Sequence, residues 1–305
     1  MIARIAKDRV ANGLGRLLCL FILSLALLIA AGLYLRANPV FSAMSLMDLL
    51  GSVYWHPTQE KFGMASFIVG SMWVTGLAMV IAVPLGFLTA LYLSEYAPAR
   101  LQDASKPVID VLAGISPVVY GVWGVAAIVP LVRDYLMPFL SENLPFFPFA
   151  SDNYTGYSAM AGGLVLAVMV LPILIGVSWE VLSAVPFEIR EVSLALGATK
   201  WETIKLTVLK KARPGLFAAV ILAISRAFGE TMAVLMVAGC NLHGLPRSIF
   251  DPAYPLPALI ANTYGEMMSI PLYDAAVFLA ALVLFAVTFV FNAIAWAILM
   301  RFEQE

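Results

Sequence analysis

Residues 188–215 read E-I-R-E-V-S-L-A-L-G-A-T-K-W-E-T-I-K-L-T-V-L-K-K-A-R-P-G, and the apolar run that follows carries S-R-A-F-G-E at Ser225–Glu230. A charged, glycine-punctuated amphipathic loop thus leads directly into a hydrophobic segment that holds an arginine and a glutamate. The first element has the makings of a grip on another protein. The second places two ionisable groups where they are costly to keep.

The surrounding chain explains why that cost matters. Of 305 residues, 62% are hydrophobic and only 12% are charged. Apolar runs near 20 residues recur along it, the signature of membrane-spanning helices. Closed β-barrels would alternate polar and apolar residues instead, so the fold class expected is an all-α membrane protein. The net charge of -1 offers no footprint for nucleic acid. Cys19 and Cys240 sit in or beside apolar runs and form no disulfide framework. His56 and His243 lack ligand-like spacing, so no metal site is expected.

Six transmembrane helices are expected: about 17–35, 67–93, 107–132, 157–179, 216–240 and 275–300. The first follows a basic start, Arg4, Lys7, Arg9 and Arg16. It is too long for a signal-peptide core and lacks a cleavage site, so it reads as an uncleaved helix. With the N-terminus inside, Arg100, Lys106, Arg301 and the basic residues of the 180–215 loop also fall inside. Arg36, Lys61, Arg133 and Arg247 fall outside. The positive-inside rule then supports an N-in/C-in arrangement. The outer segments near 36–66, 133–156 and 241–272 are rich in Pro and aromatic residues, including Pro145, Pro148, Pro252, Pro255 and Pro257. They read either as an outward docking surface or as covers over helix ends. Residues 1–66 form a peripheral helix and first outer segment, and residues 67–300 form the main domain.

Within the 180–215 loop, Pro186 precedes Glu188 and Glu191, acids suited to a helix N-terminus. Val192 and Leu196 are spaced to share one face. Gly197 permits a turn that other residues resist. Thr199 with Glu202 three residues on is a capping-box pattern. The second helix carries Trp201, Ile204 and Val208 on one side, with Pro214 and Gly215 ending it. A plain surface helix lying on lipid headgroups is the competing reading.

Arg226 falls near the middle of the fifth expected span, where a lone arginine costs about 2.5–3.5 kcal/mol on insertion scales. Glu230 lies four residues on, within pairing reach. Gly229 between them would permit close helix approach, and Ser225 and Thr231 add hydroxyls. The pair reads either as a structural lock between helices or as a site for an oxyanion in transit. The planar guanidinium fork fits tetrahedral oxyanions.

Glu191, Ser193, Gly197 and Leu209 are spaced as in the E-A-A-x3-G-x9-I-x-L-P loop of ABC-importer permeases, which this stretch resembles. Val192 and Ser193 replace the two alanines, Thr207 the usual Ile, and Lys210 the usual Pro. R-A-F-G-E-T-M-A-V at Arg226–Val234, I-S-P-V-V-Y-G-V-W-G at Ile115–Gly124 and S-I-F-D-P at Ser248–Pro252 resemble the PstC-type permeases of phosphate-specific importers. G-A-T-K-W-E at Gly197–Glu202 is shared with the sister PstA type. The resemblance implies a type I ABC importer (MetI-like) permease fold, in the bacterial cytoplasmic (inner) membrane. It implies ATPase coupling through Glu191, Ser193, Gly197, Ala198, Glu202 and Leu209. It implies a phosphate path with Arg226, Glu230, Ser225 and Thr231. The implied partners are a PstA-type second permease, a PstB-type ATPase dimer and a PstS-type periplasmic phosphate-binding protein. The chain lacks a G-x-x-x-x-G-K-[ST] loop, so ATP and Mg²⁺ would be bound by the ATPase partner. No cofactor and no catalytic residue is expected here.

Three other readings compete. A sulfate or molybdate permease would share the fold and the coupling loop. A self-contained ion-coupled carrier would need no docking hairpin. An intramembrane enzyme would need a catalytic constellation, and none is present in the spans. Glu95, Asp103 and Asp110 read as solvated surface carboxylates. Asn292 reads as a packing residue with a possible cross-helix hydrogen bond. Tyr120 and Trp123 read as packing, with path lining the alternative. Asn153-Tyr154-Thr155 matches a glycosylation sequon by chance.

Overall fold

The computed structural model describes residues 2–143, 146–151, 153–242, 244–266 and 271–302; Pro145 and His243 lie outside them. The chain begins with α1 (Ile2–Ala43) and the short α2 (Leu46–Gly51). A two-stranded antiparallel ribbon follows, β1 (Trp55–His56) with β2 (Lys61–Phe62), Trp55 facing Phe62. Then come α3 (Ala65–Glu95) and α4 (Ala99–Gly114). A long, irregular helix runs from α5 (Pro117–Trp123) through α6 (Val129–Leu131) to α7 (Met137–Asn143), with π-type turns between them. After it stands α8 (Ala159–Ser183).

The loop at 184–208 folds into α9 (Phe187–Ala195), α10 (Lys200–Thr203) and a π-type turn at Ile204–Val208. It passes without interruption into α11 (Leu209–Phe228). Then follow α12 (Met232–Val237), α13 (Leu256–Thr263) and α14 (Pro271–Phe302).

Among the described residues, five helices are long and apolar enough to cross a membrane: Asn12–Ala43, Ala65–Glu95, Pro117–Asn143, Ala159–Ser183 and Leu272–Ile298. Two of the expected spans are corrected. The third does not run from Pro107 to Val132. Its N-terminal part belongs to α4, an amphipathic helix with no buried residue that carries Asp103, Lys106 and Asp110. The spanning helix starts afresh at Pro117, because Ser116 before it is extended (φ -62°, ψ 137°), as a residue preceding proline prefers. The fifth expected span, about 216–240, is not one helix. α11 stops at Phe228 and α12 begins at Met232, with Gly229–Thr231 between them.

Pro214 and Gly215 do not end the second loop helix either. Pro214 lies inside α11. Gly215 lets α11 close on α8: a Cβ there would sit 2.5 Å from Val181 Cγ1. Lys210, which retains the N–H that a proline would lack, lies in the same uninterrupted helix.

The largest apolar core lies between α3 and α8, joined by α5, α11 and α12, with Val74, Ala78, Leu166, Val170 and Leu174 at its centre. Small residues make this contact close. A Cβ on Gly163 would stand 2.7 Å from Leu77 Cβ, and one on Gly86 would stand 2.7 Å from Leu174 Cδ2. A second core at one end gathers α1, the ribbon, α13 and α14. There the Trp55 ring packs edge-on against Phe62 and Phe67, each at 5.3 Å. A third, at the opposite end of α3, joins Ala90, Leu182, Val185, Val208, Ala212 and Leu216.

The segment around 248–256 folds over helix ends, which selects that reading over a free outward surface. Ile249 and Phe250 are buried. The backbone N–H groups of Ser158, Ala159 and Met160, orphans at the start of α8, donate to the carbonyls of Val237, Asp251 and Ile249. The Asp251 carboxylate accepts from Ser151 Oγ (2.5 Å) and from the backbone N–H of Arg247 and Ser248 (both 2.9 Å). The Asn153 amide donates to Tyr157 O (2.9 Å) and Phe250 O (2.7 Å), so this sequon asparagine is a structural brace.

The α3–α8 contact tolerates little added volume. Gly163→Val is expected to destabilise the fold by about 1–3 kcal/mol through overpacking. A lowered thermal midpoint in detergent checks it, and an unchanged midpoint contradicts the close contact.

Candidate functional site

Arg226 and Glu230 flank the break between α11 and α12. The break is local: the Glu230 N–H donates to Ala227 O at 3.2 Å, and the Thr231 hydroxyl donates to Gly229 O at 3.4 Å. Arg226 is exposed and Glu230 half-buried. The expected pairing is not formed. Ion pairs among the described residues join Arg36 to Asp274, Arg133 to Asp134 and Arg190 to Glu95. The i,i+4 spacing fails because the helix ends between the two residues, so they do not stack on one face. Gly229 is also corrected. A Cβ there would meet Arg226 O and Ser225 O of its own helix at 3.8 Å, and among the described residues no other element comes within 4 Å of it.

Ser225 is engaged by another helix. Asn292 of α14 donates from Nδ2 to Ser225 Oγ at 2.9 Å and to Thr288 O at 2.8 Å. Because Ser225 accepts here, its own O–H is left to donate elsewhere. Tyr120 is buried and donates to Leu112 O at 2.9 Å, tying α5 to the end of α4; it packs rather than lines a path. The outcome around Arg226 is a guanidinium on an open face of the chain, beside interrupted helix backbone.

The second candidate element is the hairpin of α9 and α10. Its local design was legible. Pro186 is the N-cap of α9, with Glu188 in the first turn. Gly197 turns the chain at φ +88°. The Thr199–Glu202 capping box is complete: Thr199 N–H and Oγ each lie 2.8 Å from Glu202 Oε2, and Glu202 N–H lies 3.3 Å from Thr199 Oγ. Those hydrogen bonds from the Thr199 backbone and hydroxyl hold the Glu202 carboxyl below its ordinary pKa. The two helices are cross-linked by their hydroxyls, Ser193 Oγ to Thr203 Oγ at 3.0 Å.

The apolar residues divide by role. Ile204 and Val208 are both buried, Val208 in the third core, while Trp201 is 54% exposed, so the three do not form one ridge. The free surface is made by Phe187, Val192, Leu194, Leu196, Trp201 and Leu206, with Leu196 84% exposed at the tip. Glu191 is exposed, and Ala198 and Leu209 are half-buried.

Four residues that hold this hairpin were not singled out as a site from the sequence. Glu95 is the last residue of α3 and is not solvated: its side chain is 8% exposed and accepts from Arg190 Nη2 at 2.8 Å. Arg190 also donates to Leu182 O at 2.9 Å and to Val185 O. Beside it, Lys200 Nζ lies 4.6 Å from the centroid of the Tyr96 ring, a cation–π contact. A cleft of about 660 Å³ opens next to these groups, lined by Glu95, Phe187, Arg190, Leu194, Lys200 and Ile204, among others. Asp103 and Asp110 are exposed, as expected of surface carboxylates.

The sequence of this chain matches a known family. Residues 82–303 match the family described as "Binding-protein-dependent transport system inner membrane component". The chain is 34% identical to the "Probable phosphate transport system permease protein PstC" of Methanocaldococcus jannaschii, over 94% of this chain and 92% of that protein. It is 36% identical to the "Phosphate transport system permease protein PstC" of Xylella fastidiosa, over 83% of this chain and 79% of the relative. It is also 36% identical to the "Probable ABC transporter permease protein YqgH" of Bacillus subtilis, over 88% and 82%. Among solved structures, an inward-facing form of the MetNI methionine ABC transporter matches in fold. The TM-score is 0.54 at 16% identity, over 80% of this chain and 99% of that one.

Gly197 has open space where a side chain would go, so only its backbone angle resists substitution. Gly197→Ala is expected to cost about 1–2 kcal/mol from the left-handed conformation. Amide exchange across residues 194–203 should rise roughly tenfold; unchanged exchange would mean the turn does not depend on glycine.

Proposed function

Because the chain belongs to the family of binding-protein-dependent transport system inner membrane components, we propose that it moves inorganic phosphate through a path that includes Arg226. It is a multi-pass permease of the inner membrane, a subunit of an ABC importer complex, and not itself an enzyme. Its partners include an ATPase. The finer assignment is a PstA-type second permease, a PstB-type ATPase dimer and a PstS-type binding protein that delivers phosphate. ATP and Mg²⁺ belong to the ATPase, and this chain holds no cofactor. An N-in/C-in topology, read from the distribution of basic residues, would place the α9–α10 hairpin on the cytoplasmic side.

The observation that carries the phosphate path is the state of Arg226. Its guanidinium stands exposed at the last turn of α11, beside the break at Gly229–Thr231, without an ion-pair partner among the described residues. Discontinuous helices recur where transporters bind ions, because interrupted backbone is tolerated where it lines a cavity. A planar fork with fixed donors fits a tetrahedral oxyanion. The Ser225 O–H, left to donate by its contact with Asn292, adds a neutral donor one residue away. Glu230 lies past the break and would repel a lingering anion, which keeps binding weak enough for exit. The missing Arg226–Glu230 pair weighs against a lock within this chain.

The hairpin supplies the coupling. Its base is fixed in the inner core and its tip is exposed and apolar, the form of a helix-in-groove contact. Glu191, Ser193, Gly197, Ala198, Glu202 and Leu209 are its proposed coupling residues, and Ser193, Gly197 and Glu202 also set its shape.

The test is ATP-dependent uptake of labelled phosphate into vesicles that hold the assembled importer. Arg226→Gln is expected to lower uptake by about 10-fold or more, the loss of charge-assisted hydrogen bonds to the anion, with the ATPase still co-purifying. Uptake retained in the variant would remove Arg226 from the path. Carriage of sulfate or molybdate instead of phosphate by the wild type would overturn the substrate.

A further inference from the structure

We infer that Glu95 and Tyr96 clasp both helices of the hairpin and make α3 the rod that transmits its movement to the opposite face of the chain; this rests on the coupling role proposed above.

The clasp is built from two adjacent residues. Glu95 ends α3 and holds Arg190 of α9 at 2.8 Å. Tyr96, the helix cap, holds Lys200 of α10 at 4.6 Å from its ring centroid. Arg190 ties in a third element through the carbonyls of Leu182 at the end of α8 and Val185 in the turn beyond it. One guanidinium thus bridges α3, α8 and α9, and its side chain is 14% exposed. Its fixed fork suits that work better than the flexible ammonium of a lysine. The tip is bound differently. Gly197 and Ala198 donate only to Leu194 and Ser193 of the same hairpin. The turn at Gly197–Ala198 is therefore held only from within the hairpin, while Arg190 and Lys200 on either side of it are held by the end of α3.

The far end of α3 is also fixed. Ser71 Oγ accepts from Leu256 N–H at 2.8 Å, and a Cβ on Gly70 would stand 3.0 Å from Tyr254 O. Between the two anchors run about seven helical turns, continuous through Pro84 and packed along α8 through Gly163 and Gly86. A helix pinned at one end to the hairpin and at the other to the 254–256 segment moves as a unit. A shift at the tip then reaches the opposite face without passing through the Arg226 break. Neither Glu95 nor Tyr96 would touch phosphate or nucleotide. They are positioning residues, and their loss should affect coupling rather than either activity alone.

Glu95→Gln keeps the shape and an acceptor oxygen while removing the charge. In vesicles that hold the complete importer, phosphate moved per ATP hydrolysed is expected to fall about 10-fold. ATP hydrolysis should continue and the ATPase should stay bound. Tyr96→Leu should lower the same ratio by about 2-fold, as loss of one cation–π contact implies. Amide exchange in the same assembled complex should rise across residues 187–203 and stay unchanged in the middle of α3. An unchanged ratio would overturn the inference. So would a parallel fall of uptake and hydrolysis with loss of the ATPase, since that marks a purely structural pair. Should Glu95→Gln fail to assemble, Arg190→Lys replaces it. It keeps a cation for Glu95 but cannot bridge all three elements, and the same drop in ratio is expected. A wild type that carries no phosphate would sink the substrate reading instead. The exchange arm would then decide the clasp, and unchanged hairpin exchange in Glu95→Gln would refute it.

Discussion

A backbone N–H or C=O left unpaired in hydrocarbon costs several kcal/mol, so every interruption of a helix at membrane depth needs partners or water. The start of α8 meets that demand with borrowed carbonyls from Val237, Ile249 and Asp251. The loop that lends them is itself closed by the Asp251 carboxylate. The break between α11 and α12 has short local contacts instead, from Gly229, Glu230 and Thr231. A break of this kind lines water more readily than lipid. The position of Arg226 at that break follows from the same constraint, since a guanidinium in the membrane must also face a polar path.

The same economy of polar groups separates two functions within one chain. At the break, Arg226 stands exposed and without an ion-pair partner among the described residues. At the end of α3, Arg190 is enclosed, paired and bonded to two carbonyls. In the path proposed here the first arginine would exchange partners, while Arg190 keeps the ones it has. Pairs of the second kind cost desolvation and reward geometry. That expense is understandable where three elements must meet at one point.

Much of this was legible in the sequence, and the limits have physical causes. α3, α8 and α14 are uniformly apolar, so hydropathy locates them within a few residues. The hairpin was legible because its signals are local: Pro186, Gly197 and the Thr199–Glu202 cap act over four residues or fewer. The helix at 117–143 was misplaced because Gly and Pro are spread through 107–132, and periodicity alone does not say that Pro117, rather than Pro107, starts it. The break at Gly229–Thr231 was hidden by an apolar run that continues across it. Glu95 and Arg190 are 95 residues apart in the chain. Each looks like a surface charge until α3 and α8 pack together. A cross-helix hydrogen bond from Asn292 was legible, but its partner Ser225, 67 residues away, was not.

On the coupling role proposed above, the hairpin tip is the contact through which the permease would be driven. A photo-crosslinking residue at position 196 of the assembled importer tests it directly, with position 47 as control, since Leu196 and Met47 are both more than four-fifths exposed. Capture of the ATPase subunit is expected from position 196 and none from position 47. Capture from position 47 alone, or capture of lipid alone from position 196, would contradict it.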